Sequence, residues 1–407
     1  MLYNFGPFLN PDLEPETVLY IFVMMFMFIS TYSFGLGTRK NLILQPAHEN
    51  ADTIHRILFV TSIMTFVGAG IILFDRISSG AASIDLVVNS IESLRDDDYM
   101  RRLTPLTAVG VIPQSFRLVA FASYFYSMMN KFHISIIIHA LFMGIMTIDL
   151  LTMLLTASRG MLFWLGTYWI FYVIFCRRIS IIKTIFSYRY MFAKVVAFSL
   201  IAVSFWFFYY VSRNRSAEAY LKVLGDAAIE KNNISAITEN LDSADLGALY
   251  SLTSYVTSEF EYINACVKHS EWIAFNPVAA LGIRVTSQLS KIWPAYTPAA
   301  KILVNQWIAQ EGLSPAGWVS IFGVTLACFG IIGSAGFYSI LGLLCGKCTR
   351  MFIRTNNFSW FIFIFLIFVS FNLSFDWIIR DFEQYNALMF AFILLAKARH
   401  KNSAIPI

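Results

Sequence analysis

Tyr210-Val211-Ser212-Arg213-Asn214-Arg215 is the stretch on which the reading of this chain turns. At Ser212 an apolar segment stops, and two arginines stand where a membrane helix would meet water. A hydrophilic island then runs on to Gly317. At roughly a hundred residues it is far longer than a turn joining two neighbouring membrane helices. Elsewhere the chain is apolar: 57% of its 407 residues are hydrophobic and 14% are charged. Soluble domains carry about 25% charged residues, so lipid must solvate much of this surface. The composition points to an all-α polytopic membrane protein with about nine transmembrane helices and a large outer loop of amphipathic helices. Residues 1–211 form an N-terminal bundle of about six helices, 212–317 the loop, and 318–407 the C-terminal helices.

Working outward from the island, apolar segments fall near 17–37, 54–74, 105–129, 132–156, 160–177, 189–211, 317–346, 358–375 and 384–398. Basic residues gather at four of their ends. These are Arg39 and Lys40; Arg177, Arg178, Lys183, Arg189 and Lys194; Lys347, Arg350 and Arg354; and Lys397, Arg399 and Lys401. Lys and Arg mark retained cytoplasmic loops, so all four ends are placed inside. The acidic Asp12, Glu14 and Glu16 and the island then lie outside. The same alternation puts 75–104 outside with Arg76, Arg95, Arg101 and Arg102, against the charge rule; an outer cationic surface with a purpose would explain the breach. Met1–Phe8 lacks a basic n-region and a small-residue cleavage site, so no removable signal peptide is expected. The net charge of +5 is spent on topology and calls for no nucleic acid.

Within the island, Leu249, Leu252, Val256, Phe260 and Ile263 recur at steps of three and four, as on one face of a helix. Tyr255, Glu259 and Tyr262 share a neighbouring face. A second helix is read over 299–310, with Pro298 near its start, where a missing N–H costs nothing. Asn233-Ile234-Ser235 fits a glycosylation sequon, a match short enough to arise by chance. Of the five cysteines only Cys266 lies in the island, so no disulfide forms within it. Cys345-x-x-Cys348 lacks the second ligand pair of a metal site and reads as ordinary helix. No nucleotide-binding, zinc-protease or serine-hydrolase motif occurs, and no metal or cofactor is called for.

Charged groups at bilayer depth cost at least about 2.5–3.5 kcal/mol each, so each calls for a role. A hairpin turning near Asn130-Lys131 brings Arg117 within side-chain reach of Asp149. The pair either neutralises itself and holds the hairpin, or Arg117 contacts substrate. His139, alone among Ile and Leu, reads as a hydrogen-bonded core histidine. Thr156-Ala157-Ser158-Arg159-Gly160 interrupts two apolar segments at the outer surface. Its Arg159 either snorkels to lipid phosphate or, with Arg213, Arg215 and Arg284 on the same face, binds an anionic group through paired hydrogen bonds.

Three stretches resemble the O-antigen polymerases, bacterial enzymes that polymerise oligosaccharide repeat units and are related to the O-antigen ligases. The Leu154-Leu155-Thr156-Ala157-Ser158-Arg159-Gly160 turn is similar to their Ser-Arg-Gly turn. Tyr250 to Tyr262, in the large loop, resembles their Tyr-containing helix. Asn305 to Gly336 is similar to their passage from a polar loop into a Gly-rich helix, here Phe329-Gly330-Ile331-Ile332-Gly333. The resemblance implies oligosaccharides carried on undecaprenyl pyrophosphate, joined without nucleotide sugars at the periplasmic face of a bacterial inner membrane. It also implies membrane lipids, a chain-length regulator (a polysaccharide co-polymerase) and a flippase as partners, and no nucleic acid. Arg159, Arg213, Arg215 and Arg284 would stabilise the leaving diphosphate. Glu259, Asp245 and His269 are the candidate bases for the attacking hydroxyl, none preferred by spacing. Arg101, Arg102 and Arg117 are candidate substrate contacts. Tyr255, Tyr262, Trp272 and Trp293 either stack on sugars or form an interfacial belt. Asp376 and Arg380 pair most simply with each other. An O-antigen ligase, with the same donor and a lipid A core acceptor, and a flippase for lipid-linked sugars are the alternatives.

Overall fold

The computed structural model describes residues 14–37, 50–78, 105–156, 260, 262–274, 300–311, 321–372 and 382–403. Among these the chain is helical and contains no strand. The helices are α1 (Pro15–Leu36), α2 (Ala51–Ser78), α3 (Pro105–Gln114), α4 (Arg117–Met129), α5 (Ile136–Thr156), α6 (Ala300–Gln310), α7 (Ile321–Thr355), α8 (Phe358–Asn372) and α9 (Phe382–Ser403). A further helical segment runs over 262–269. Three helices, α1, α2 and α7, are long and apolar enough to cross a membrane. The expected segments at 160–177 and 189–211, and most of the island, lie outside the described residues.

Helix α1 starts with Pro15 in its first turn, where no N–H is needed, and Glu16 beside the positive helix end. It ends at Gly37, whose φ of 72° lets its N–H bond the carbonyls of Ser33 and Phe34. It packs along α7 closely enough that a Cβ on Gly342 would stand 2.4 Å from the Phe28 carbonyl oxygen, and one on Gly346 2.2 Å from that of Tyr32. Small residues let membrane helices approach this closely and gain dispersion energy backbone to backbone. The same residue offset recurs along the pair, so α1 and the limb of α7 beside it run in the same direction.

Helix α7 departs from the sequence reading. The apolar stretch expected as one continuous helix breaks at Gly330, with φ 68° and ψ −173°. Phe322 and Tyr338 lie 16 residues apart, about 24 Å along a straight helix. Their rings nevertheless stack at 5.5 Å. The chain therefore doubles back, and a buried limb (321–329) folds against a spanning limb (331–355). Only glycine holds this backbone conformation readily. The broken ladder is satisfied by the turn 271–274. The Ile331 N–H donates to the Glu271 carbonyl at 3.1 Å, the Ile332 N–H to Trp272 at 3.0 Å, and the Ala274 N–H to Phe329 at 3.2 Å. Irregular backbone inside a membrane protein is tolerated where protein covers it in this way.

A second core joins α2, α4, α5, α8 and α9 around Phe121, Tyr126, Phe358, Phe361 and Phe365. The apolar stretch 105–129 is two helices, not one, with a turn at Ser115 and Phe116 two residues beyond Pro113. The hairpin reverses at Asn130-Lys131, as its sequence suggested, with Lys131 at φ 57°. Asn356, in the α7–α8 turn, donates from Nδ2 to Asn130 Oδ1 at 2.6 Å. Both turns therefore share one end of the molecule with Lys347, Arg350 and Arg354. Glu14, Glu16, Lys268 and Glu311 stand at the other.

Candidate functional site

At that second end two pieces of the hydrophilic island meet. The 262–269 helix buries Ile263, Ala265, Cys266 and Val267 beside Val304 and Ile308 of α6, in one core with Tyr20 and Met24 of α1. This burial brings the ends of the two segments together. Lys268 Nζ donates to Glu311 Oε2 at 2.7 Å, and His269 Nε2 lies 2.6 Å from Glu311 Oε1. Bonding from Lys268, and then from His269, holds the Glu311 carboxyl below the usual glutamate range, while Glu311 raises Lys268. An ionised carboxylate only accepts hydrogen bonds, so the proton between His269 and Glu311 sits on Nε2. Nδ1 is left as the proton-accepting nitrogen of the ring. A carboxylate that fixes the tautomer and orientation of an imidazole is an arrangement that can take up a proton at the ring's other nitrogen.

Beneath it, Tyr20 of α1 places its hydroxyl 3.3 Å from both the Phe322 carbonyl and Thr325 Oγ1. The Thr17 hydroxyl donates to Asn264 Oδ1 at 2.6 Å, tying α1 to the 262–269 helix. These bonds hold island, α1 and the folded-back limb in register.

The second charged site lies in the bundle. Arg117 Nη1 stands 3.5 Å from Asp149 Oδ2, and Asp149 is buried. The expected pairing across the hairpin is present. Nearby, Asn386 donates to Ser115, and the Thr107 hydroxyl donates to buried Asp75. His139 is hydrogen-bonded as expected, its Nδ1 2.9 Å from the Tyr124 hydroxyl, but it is exposed rather than in the core.

Of the residues singled out from sequence, Arg117, His139, Asp149, Tyr262, His269 and Trp272 lie among those described. His269 and Arg117 fall in separate sites. Tyr262 is half-buried against the core beneath His269. Arg101, Arg102, Arg159, Arg213, Arg215, Asp245, Tyr255, Glu259, Arg284, Trp293, Asp376 and Arg380 lie outside the described residues. Glu311 and Lys268 were not foreseen, because no local pattern links positions 269 and 311; Lys268 next to His269 was the one available hint. No group of three or more His, Cys, Asp or Glu suited to a metal occurs among the described residues. No protein-family model, no curated protein and no solved structure matches the chain. Fold and sites therefore define a class, a helical membrane protein with a docked polar cap.

Proposed function

We propose that this chain is a membrane glycosyltransferase that polymerises undecaprenyl-pyrophosphate-linked oligosaccharide repeat units into O-antigen or a similar surface polysaccharide. The observation that carries the reading is the His269–Glu311 pair on the cap, where a base could take a proton from a sugar hydroxyl. The His269 Nδ1 accepts the acceptor hydroxyl's proton, and the oxygen bonds to the anomeric carbon of the donor. The bond from that carbon to diphosphate oxygen breaks, and undecaprenyl pyrophosphate leaves with the electron pair. Arg159, Arg213, Arg215 and Arg284 would receive that negative charge, since guanidinium forks match phosphate oxygens and remain charged at any working pH. The basic end bearing Lys347, Arg350 and Arg354 supports a cytoplasmic placement for that end. The cap then faces the periplasm of an inner membrane, where a chain-length regulator and a flippase would be its partners.

The break at Gly330 favours a second reading, a flippase, because transporters place interrupted helices at their substrate sites. Here the freed N–H groups of Ile331 and Ile332 are already bonded by the 271–274 turn, which supports the enzyme over the transporter. A strain lacking the gene tests both. Lipopolysaccharide capped with a single repeat unit is the expected result; core without any repeat unit would point instead to a ligase or flippase. In that strain, Arg159→Ala and His269→Gln are expected to insert normally and leave the single-unit phenotype uncorrected. Long chains in either variant would remove that residue from the site.

A further inference from the structure

The turn 271–274 belongs to the hydrophilic island, yet its tip is apolar. Trp272 is 71% exposed and Ile273 69%. The main-chain bonds to 329–332 hold the turn, so neither side chain is needed to dock it, and both project away from the core. Their level relative to a bilayer follows from the helix pair beside them. Ile331 begins the spanning limb of α7. In its parallel neighbour, the same level is the first turn of α1, directly after Glu14, where Thr17 bonds Asn264. From Ile331 to Arg350 the limb rises about 28 Å at about 1.5 Å per residue. That is close to one hydrocarbon core of about 30 Å. Down this limb Ile332, Ile340 and Leu344 are 56, 62 and 52% exposed, a lipid-facing stripe. Trp272, bonded through its carbonyl to the Ile332 N–H, continues that stripe at its upper rim. Lys268 and Glu311 mark the watery side. Trp combines a large apolar face with one N–H donor, which suits the boundary between acyl chains and headgroups.

We propose that the Trp272–Ile273 turn is an interfacial anchor, seated in bilayer lipid at the headgroup–acyl boundary, and that it sets the height of His269 and Glu311 at the lipid headgroups. Trp272 thereby serves the bilayer and not a sugar ring. The proposal is independent of the glycosyl-transfer reading, because its test reads lipid contact and not activity. The full chain carrying p-benzoylphenylalanine in place of Trp272, Ile273 or Lys268 is placed in nanodiscs of phosphatidylethanolamine and phosphatidylglycerol, irradiated, and its adducts are identified by mass spectrometry. Lipid adducts at 272 and 273 are expected several-fold above those at 268. Equal yields, or adducts mainly to peptide, overturn the anchor. Should those variants fail to fold, Trp272→Phe gives a second measurement. Quenching of total tryptophan fluorescence by lipids brominated near the headgroup is expected to fall in Trp272→Phe, and unchanged quenching overturns the proposal.

Discussion

The two cores of this molecule differ in which contacts dominate at their centres. Around α1 and α7, backbone meets backbone: glycines remove the side chains that would separate the helices, and main-chain bonds stitch the 271–274 turn into the break at Gly330. Around α4, α8 and α9, rings fill the space: Tyr126 lies 5.1 Å from Phe358 and 5.4 Å from Phe361, and Phe125 lies 5.8 Å from Phe365. A ring-filled core tolerates repacking, because side chains can change rotamer. Where backbone lies on backbone, as along α1 and the spanning limb of α7, no side chain can swing aside, even though Tyr20, Phe322 and Tyr338 fill the space beside it with rings. The cap with its His269–Glu311 pair is docked on the rigid core, and the Arg117–Asp149 pair lies in the adaptable one. A geometry-dependent proton transfer is better served by the first.

The sharpest break in this comparison is a methyl group. Gly330→Ala places a Cβ 2.7 Å from backbone atoms of Glu271 and Ala274, at a positive φ. Backbone cannot yield as a side chain can, and the conformation itself costs roughly 1–3 kcal/mol for a residue other than glycine. A loss of several kcal/mol is expected, read as a lower unfolding temperature in detergent with protection of 262–274 lost first. Phe361→Leu in the other core is expected to cost about 1 kcal/mol, because the rings around it can close in. Equal effects of the two substitutions would erase the distinction.

The buried ion pair sharpens it next. Arg117→Met or Asp149→Leu alone leaves one charge unpaired and is expected to cost about 3–5 kcal/mol, whereas the double variant recovers most of that loss. Thermal unfolding of the three variants gives the coupling. Polymer length in the double variant then separates the two roles. Restored folding with restored polymer makes the pair structural; restored folding without polymer gives Arg117 a substrate contact.

What the sequence displayed, and what it hid, follows the same division. The runs of α1, α2, α5 and α8 were legible because a long apolar run reads as a helix whether lipid or protein covers it. The Arg117–Asp149 meeting was legible because a hairpin's arithmetic is local. The Gly330 reversal was not, since Ile331 and Ile332 continue the apolar run and hydropathy carries no information about φ. The turn at Ser115 was signalled only by Pro113. His269 could be named as a candidate, but its partner Glu311 enters through burial of Ile263 and Ile308, a contact between segments with no shared periodicity.

Removing one hydroxyl tests the rigid core more gently. Tyr20→Phe deletes a group that touches Phe322 and Thr325 at long distance, 3.3 Å each. About 0.5–1.5 kcal/mol is expected from such a bond, measured as a small shift in unfolding temperature with the cap still protected.

The smallest expected effect is on acidity, and its sign is fixed by the cap's charges. Glu311 is held below its ordinary 4.5 by bonding from Lys268 and then His269. A depressed carboxyl contributes stability that is full above its unfolded value and disappears as pH falls through the folded one. Lys268 is raised, so its contribution is full below its ordinary 10.5 and disappears as pH climbs through the folded value. The cap should therefore be most firmly docked between those limits and loosen as pH drops below the glutamate range. Both groups are solvent-accessible, so salt should weaken the effect. Hydrogen exchange of the 262–274 amides, measured against pH at low and high salt, reads this directly. Wild type is expected to lose protection in acid, and Glu311→Gln to show no such acid limb because its protection is already lowered at neutral pH, where the carboxylate's bonds to Lys268 and His269 are missing. An acid limb that persists in Glu311→Gln would show that the Glu311 carboxylate is not its source. The His269 pair would then have no part in holding the cap on the rigid core.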